Sequence, residues 1–204
     1  MMLTSPAYDF ARCKMPVMSV PIHEDFCAHI GRIIGLWSAI ERMHSNFLIA
    51  LCNETSTPKD RLDSRFRKRL AKLRSLSETV LPRSIAKYFS EICDETLIVY
   101  RHRNLLAHGS LEATSNETGD TLLIAKGESR GTATNETYTV ESIEQVFYDA
   151  SHVAGKLFFL EMAAGAGEGA KDYLPGTQFS SQDIQRLVDF YRSNHPSFAK
   201  TPTP

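Results

Sequence analysis

The chain has 204 residues, of which 42% are hydrophobic and 23% charged, enough to bury one substantial core as a single main domain with extensions. Its formal net charge of -1 excludes a globally basic nucleic-acid binder, so any contact with a polyanion must come from a local patch. Four cysteines, at positions 13, 27, 52 and 93, form no C-x-x-C pair, which argues against a structural zinc or a disulfide framework and for reduced thiols in a cytosol.

The first 21 residues read as a leader. They carry Asp9, Arg12, Lys14 and two prolines without a sustained apolar run, so they do not form a secretory signal. Ile30, Ile33, Ile34, Trp37, Ile40, Phe47, Leu48 and Leu51 then recur at three- and four-residue steps, which predicts one long amphipathic helix. Arg32, Glu41 and Arg42 interrupt this most apolar window and would be costly in a bilayer, so it reads as a core helix and no membrane association is expected. On the same helix Glu41 and His44 border the core, either solvated or hydrogen-bonded. Nearby, Cys27 and His29 are too closely spaced on a helix to share a metal, and no metal or cofactor is expected.

A turn over 53–58 leads to a second helix marked by Leu62, Phe66, Leu70 and Leu73, ending near Pro82. Arg61, Arg65, Lys68 and Lys72 share a face of it roughly opposite the leucines, with Arg67, Arg69 and Arg74 nearby. Such a strip could track an RNA backbone or serve as a solvated surface. The third helix follows Pro82, with Ile85, Phe89, Ile92, Val99 and Leu106 in line, and Gly109 stands where a residue beyond a helix C-terminus is expected.

From about 110 to 140 the helical period breaks. Leu122, Leu123 and Ile124 form a short apolar run, Thr137 to Val140 are β-branched or aromatic, and glycines divide the region. A small β-hairpin or three-stranded flap is predicted. Ile143, Val146, Phe147, Ala150, Val153, Leu157 and Phe158 restore the period as a fourth helix. Glycine- and alanine-rich sequence from Ala163 to Gly176 reads as a linker. Ser180 and Asp183 then open an appended C-terminal helix carrying Ile184, Leu187, Val188 and Tyr191. The domain is thus expected over 22–165, with the linker and last helix over 166–204.

The third helix closes with Arg101, His102, Arg103, Asn104 and, four residues on, His108. Five residues at about 100° each place Arg103 and His108 roughly 140° apart around the helix. To act together, the arginine must reach around, the helix must end early, or two chains must share a cleft. Asn104 and His108 stack on one face, where the amide could fix the imidazole tautomer. Arg101, seven before His108, shares that face as a second phosphate-binding candidate. Arg103 lies on the apolar line of helix three and Glu41 within that of helix one, so the two charges are expected to pair.

Arg103, Asn104 and His108 near a helix end, in a chain of four helices with a β insertion before the last, resemble the HEPN superfamily and its R-x(4-6)-H pattern. The resemblance covers about Ile30 to Phe159. It implies a mainly α protein, a four-helix HEPN-like bundle with a small β insertion, that dimerises and cuts RNA without metal through His108 and Arg103. The chemistry is compatible: attack by a ribose 2′-OH needs a proton acceptor and a fixed cation, which histidine and arginine supply. By analogy, a cytoplasmic homodimer acting in defence, stress or a toxin–antitoxin pair, with a regulatory protein partner, is expected. Ser110 stands where one HEPN toxin group carries a tyrosine, so that group's nucleotidyltransferase pairing is not implied. The alternatives are a non-catalytic HEPN module that binds RNA or protein, and a ligand sensor with the β flap as lid.

Overall fold

The computed structural model of the protein describes residues 22–56, 65–129, 132–166 and 179–194. The expected leader, the turn residues 57 and 58, Arg61 and Leu62 of the second helix, and the linker from 167 on lie outside the described residues, whereas 163–166, expected as the start of the linker, continue the preceding helix and Ala163 is buried in the core. Within them the protein is mainly helical: α1 (Glu24–Glu54), α2 (Phe66–Val80), α3 (Arg83–His108), α4 (Val140–Ala166) and α5 (Ser181–Asn194). Between α3 and α4 come β1 (Ser110–Ser115), β2 (Thr121–Ser129) and β3 (Thr132–Tyr138), an antiparallel sheet in the order β1-β2-β3. The insertion is therefore a three-stranded meander rather than a single hairpin. Val140, read from its β-branched side chain as strand, is the first residue of α4. Among the described residues no helix is long and apolar enough to cross a membrane.

The larger part of the core is helix on helix. Trp37, Phe47, Phe89, Leu73 and Leu157 are all buried, and Phe47 meets Phe89 edge to face at 4.6 Å between ring centres. The helix read as appended belongs to this core: Ile184, Leu187, Val188 and Tyr191 are buried with α1 to α4, and Tyr191 packs 4.9 Å from Phe47. One half of its expected capping box is present, the Asp183 backbone N–H donating to Ser180 Oγ at 3.1 Å, while the Asp183 carboxylate accepts from Ser84 Oγ at 2.9 Å.

A smaller core lies under the sheet. Phe26 and Ile33 of α1, Leu105 and Leu106 of α3, Leu123 and Ala125 of β2, Tyr138 of β3, and Ile143 and Val146 of α4 form it. Strand alternation explains which sheet residues face it. Leu123 pairs with Tyr138, Ala125 with Glu136 and Gly127 with Thr134, so these residues share the face turned to α3. The last two turns of α3 run along the seam between the two cores.

Gly109 joins α3 to β1 without a loop, and its glycine is required for closeness rather than handedness. Its backbone is extended (φ -78°, ψ 165°), not left-handed. A Cβ there would lie 2.4 Å from the Leu105 carbonyl oxygen and 2.7 Å from that of Lys126.

Candidate functional site

α3 stays helical through His108, yet Arg103 reaches it. The Arg103 Nη1 lies 3.1 Å from His108 Nε2 and donates at 2.9 Å to Asn104 Oδ1. Five positions and roughly 140° separate the two backbones, but the long arginine side chain spans the turn. One chain thus brings the pair together. As a guanidinium only donates, His108 Nε2 receives the bond as a lone pair and its proton sits on Nδ1. Asn104 accordingly orients the arginine and makes no hydrogen bond to the imidazole. This corrects the expected tautomer role, since the shorter amide is engaged by the nearer guanidinium.

The guanidinium of Arg103 is half-buried and lies over the Trp37 indole, 5.7 Å from its centre. Trp37 in turn meets Phe66 edge to face at 4.7 Å, and Phe66 stacks on Tyr100 at 5.1 Å, with Arg67 over that ring at 5.6 Å. Arg69 lies over the Phe66 ring at 5.7 Å, so one aromatic cluster carries three arginines.

The expected Glu41–Arg103 pair does not form. Glu41 bonds to Arg69 of α2. Helical faces were inferred correctly, but Arg103 crosses α1 at Trp37, one turn before Glu41, and α2 supplies the nearer cation. His44 is the hydrogen-bonded core group: Thr96 donates to the Ile92 carbonyl at 2.7 Å, so His44 Nε2 must donate to Thr96 Oγ1 at 3.0 Å. Its Nδ1 is buried with no hydrogen-bond partner among the described residues. Burial, reinforced by Arg69, pushes its pKa down to about 3.

A cleft of about 460 Å³ opens beside the pair. Arg67 of α2 lines one side, Arg101, Asn104, Leu105 and His108 of α3 form the floor, and Gly109, Gly127, Glu128, Thr132 and Thr134 complete the sheet side. Arg101 borders it but pairs with Glu136 of β3. Glu136 also meets His102 Nδ1 at 2.9 Å and accepts from the Tyr138 hydroxyl at 2.7 Å. Burial and Glu136 together push the Tyr138 phenol well above its ordinary pKa.

The basic face of α2 contributes differently from expectation. Arg65 stands at the N-cap position without a side-chain capping bond, Lys68 is exposed and Lys72 half-buried, and none of the three lines the cleft. Arg67 does. His102, Glu136 and Tyr138 were not singled out from the sequence, although the alternation of Thr132, Thr134, Glu136 and Tyr138 on β3 was a usable signal. Among the described residues no three His, Cys, Asp or Glu side chains gather as metal ligands.

The described residues thus define a mainly helical fold with a cleft whose floor includes His108, which Arg103 meets from beside it. Compared with protein-family models, with curated proteins and with solved structures, the chain matches none.

Proposed function

We propose that the protein is a metal-independent endoribonuclease of the HEPN type, with His108 and Arg103 as its catalytic residues. The observation that carries this reading is the 3.1 Å contact between Arg103 Nη1 and His108 Nε2 at the edge of a cleft also lined by Arg67 and Arg101. The contact sets a resting state. When an RNA phosphate enters, Arg103 turns its donors to the non-bridging oxygens and frees the His108 Nε2 lone pair. That nitrogen takes the proton of the adjacent ribose 2′-OH while the 2′-oxygen bonds to phosphorus. The bond from phosphorus to the 5′-oxygen breaks, water protonates the leaving oxygen, and a 2′,3′-cyclic phosphate remains.

Asn104 holds the arginine, Trp37 carries its flat face, and Arg67 and Arg101 attract the backbone. A homodimer is part of the reading, supported by Tyr148, Phe158, Phe159 and Met162, apolar side chains of α4 left exposed that a second copy would cover. A role in defence, stress or a toxin–antitoxin pair under a regulatory partner follows by the HEPN resemblance alone.

The test is cleavage of single-stranded RNA in EDTA by the wild type and by His108→Ala. We expect cleavage by the first alone, with unchanged circular dichroism. Equal activity in the variant, or activity only with added metal, would overturn the reading. A non-catalytic RNA-binding module is the second reading, favoured by Glu136, which neutralises one cleft arginine; it gains if RNA binds in a salt-sensitive way and is never cut.

A further inference from the structure

We propose that Glu136 stands in for an RNA phosphate on Arg101 and is displaced from it when a strand takes up both arginines of the cleft; this rests on the site binding RNA as proposed above. The two arginines that line the cleft are not equivalent. Arg67 of α2 lies over the Tyr100 ring at 5.6 Å and has no carboxylate partner among the described residues. Arg101 of α3 is held by Glu136 of β3. The register that pairs Ala125 with Glu136 and Leu123 with Tyr138 turns both β3 side chains toward α3, so the sheet itself delivers this carboxylate to the helix. An incoming strand therefore meets one cation open and the other occupied.

A carboxylate and a phosphate offer a guanidinium the same thing, a pair of oxygens that accept from its fork of N–H donors. Arg101 carries a single charge, so a phosphate sharing it with Glu136 would bring two anions close together, and the two compete. Which partner gives way follows from how each is anchored. The Glu136 side chain is 17% exposed, accepts from the Tyr138 hydroxyl at 2.7 Å and meets His102 Nδ1 at 2.9 Å, whereas the Arg101 side chain is 58% exposed. The arginine swings to the phosphate and the carboxylate stays. Because Glu136 keeps its other two contacts, the exchange leaves no buried charge bare, and its cost is that of one partly exposed ion pair. The cleft consequently holds RNA less tightly than its two arginines allow, and Glu136 sets the difference.

The experiment uses the full chain and a uridine heptamer 2′-O-methylated throughout, which lacks the attacking hydroxyl and so binds without being cut. Binding is read by fluorescence anisotropy in about 0.15 M salt, where the field of a charge is screened over about 8 Å. Glu136→Gln retains an oxygen to accept from Tyr138 but loses the charge that holds Arg101. It should bind the heptamer about three- to fivefold tighter than the wild type, the size of one such ion pair. Arg101→Gln, at an exposed position, should bind more weakly than the wild type, and adding Glu136→Gln to it should change the affinity by less than about 1.5-fold. Unchanged or weaker binding by Glu136→Gln overturns the proposal. So does equal tightening in the presence and absence of Arg101, which would be a general effect of charge, and so does absence of binding by every variant. The expected pattern of affinities without cleavage of unmodified RNA would sink the nuclease reading and leave this one standing; cleavage with no gain in affinity in Glu136→Gln would do the reverse.

Discussion

The Arg103 guanidinium lies over the Trp37 indole, 5.7 Å from the ring centre, while its Nη1 faces His108. The tryptophan thus acts on the site through the arginine. Trp37→Ala should cost about 3–5 kcal/mol in a denaturant titration, the loss expected for a fully buried large aromatic. Trp37→Phe should fold with a smaller loss yet slow RNA cleavage, because the smaller ring is a weaker cation platform. Full activity in the phenylalanine variant would show that Arg103 needs no aromatic support.

Glu136 ties β3 to α3 by meeting Arg101, His102 and Tyr138 at once. Glu136→Ala should lower stability by about 0.5–1.5 kcal/mol, since the Tyr138 hydroxyl loses its carboxylate acceptor but keeps His102 Nδ1 at 2.9 Å, and the exposed Arg101 pair contributes little. The Tyr138 phenol should also titrate at lower pH while remaining above its ordinary value, because burial persists. An unchanged alkaline absorbance transition at 295 nm would contradict the assignment of Glu136 as part of its cause.

His44 sets an acid limit on the fold. Its pKa falls to about 3 from an ordinary 6.5, so folding favours the neutral ring. The stability it contributes is present above pH 6.5 and is lost as pH falls from there toward about 3, by about 1.4 kcal/mol per pH unit. Melting temperatures measured across that window should fall less steeply in His44→Gln than in the wild type. Parallel curves would assign the acid sensitivity elsewhere.

Gly109→Ala should destabilise by about 1–3 kcal/mol, because the atoms a Cβ would meet are the backbone carbonyls of Leu105 and Lys126, which cannot move aside as a side chain can. A melting temperature equal to that of the wild type would mean that the junction relaxes freely.

Periodicity made the helices legible. The spacing from Ile30 to Leu51 and the prolines and glycines around 83–108 locate α1 and α3 closely, because burial of one face imposes the 3.6-residue repeat directly. Position along an axis was not legible: a face places Glu41 and Arg103 toward each other but does not fix where two helices cross, and the crossing falls at Trp37. The Arg103–His108 contact was one of three arrangements the sequence left open, since angles between backbones do not fix the reach of an arginine. Side chains brought to the site by β3 were missed because a strand's contribution depends on its register with β2, which one chain's pattern leaves open. The linker-like sequence before α5 concealed that this helix completes the core, as composition reports a connection's stiffness and not where it leads.

The place of α5 in the chain has a kinetic consequence. It leaves the ribosome after α1 to α4, yet Tyr191 covers Phe47, Ser84 of α3 donates to Asp183, and Asn194 donates to Glu54 at the end of α1. Until it emerges, an aromatic face of the bundle stays open to water and to other nascent chains. Closure of the helical core is therefore deferred to the arrival of its last helix, and during synthesis the protein depends on what shields Phe47 in the interval.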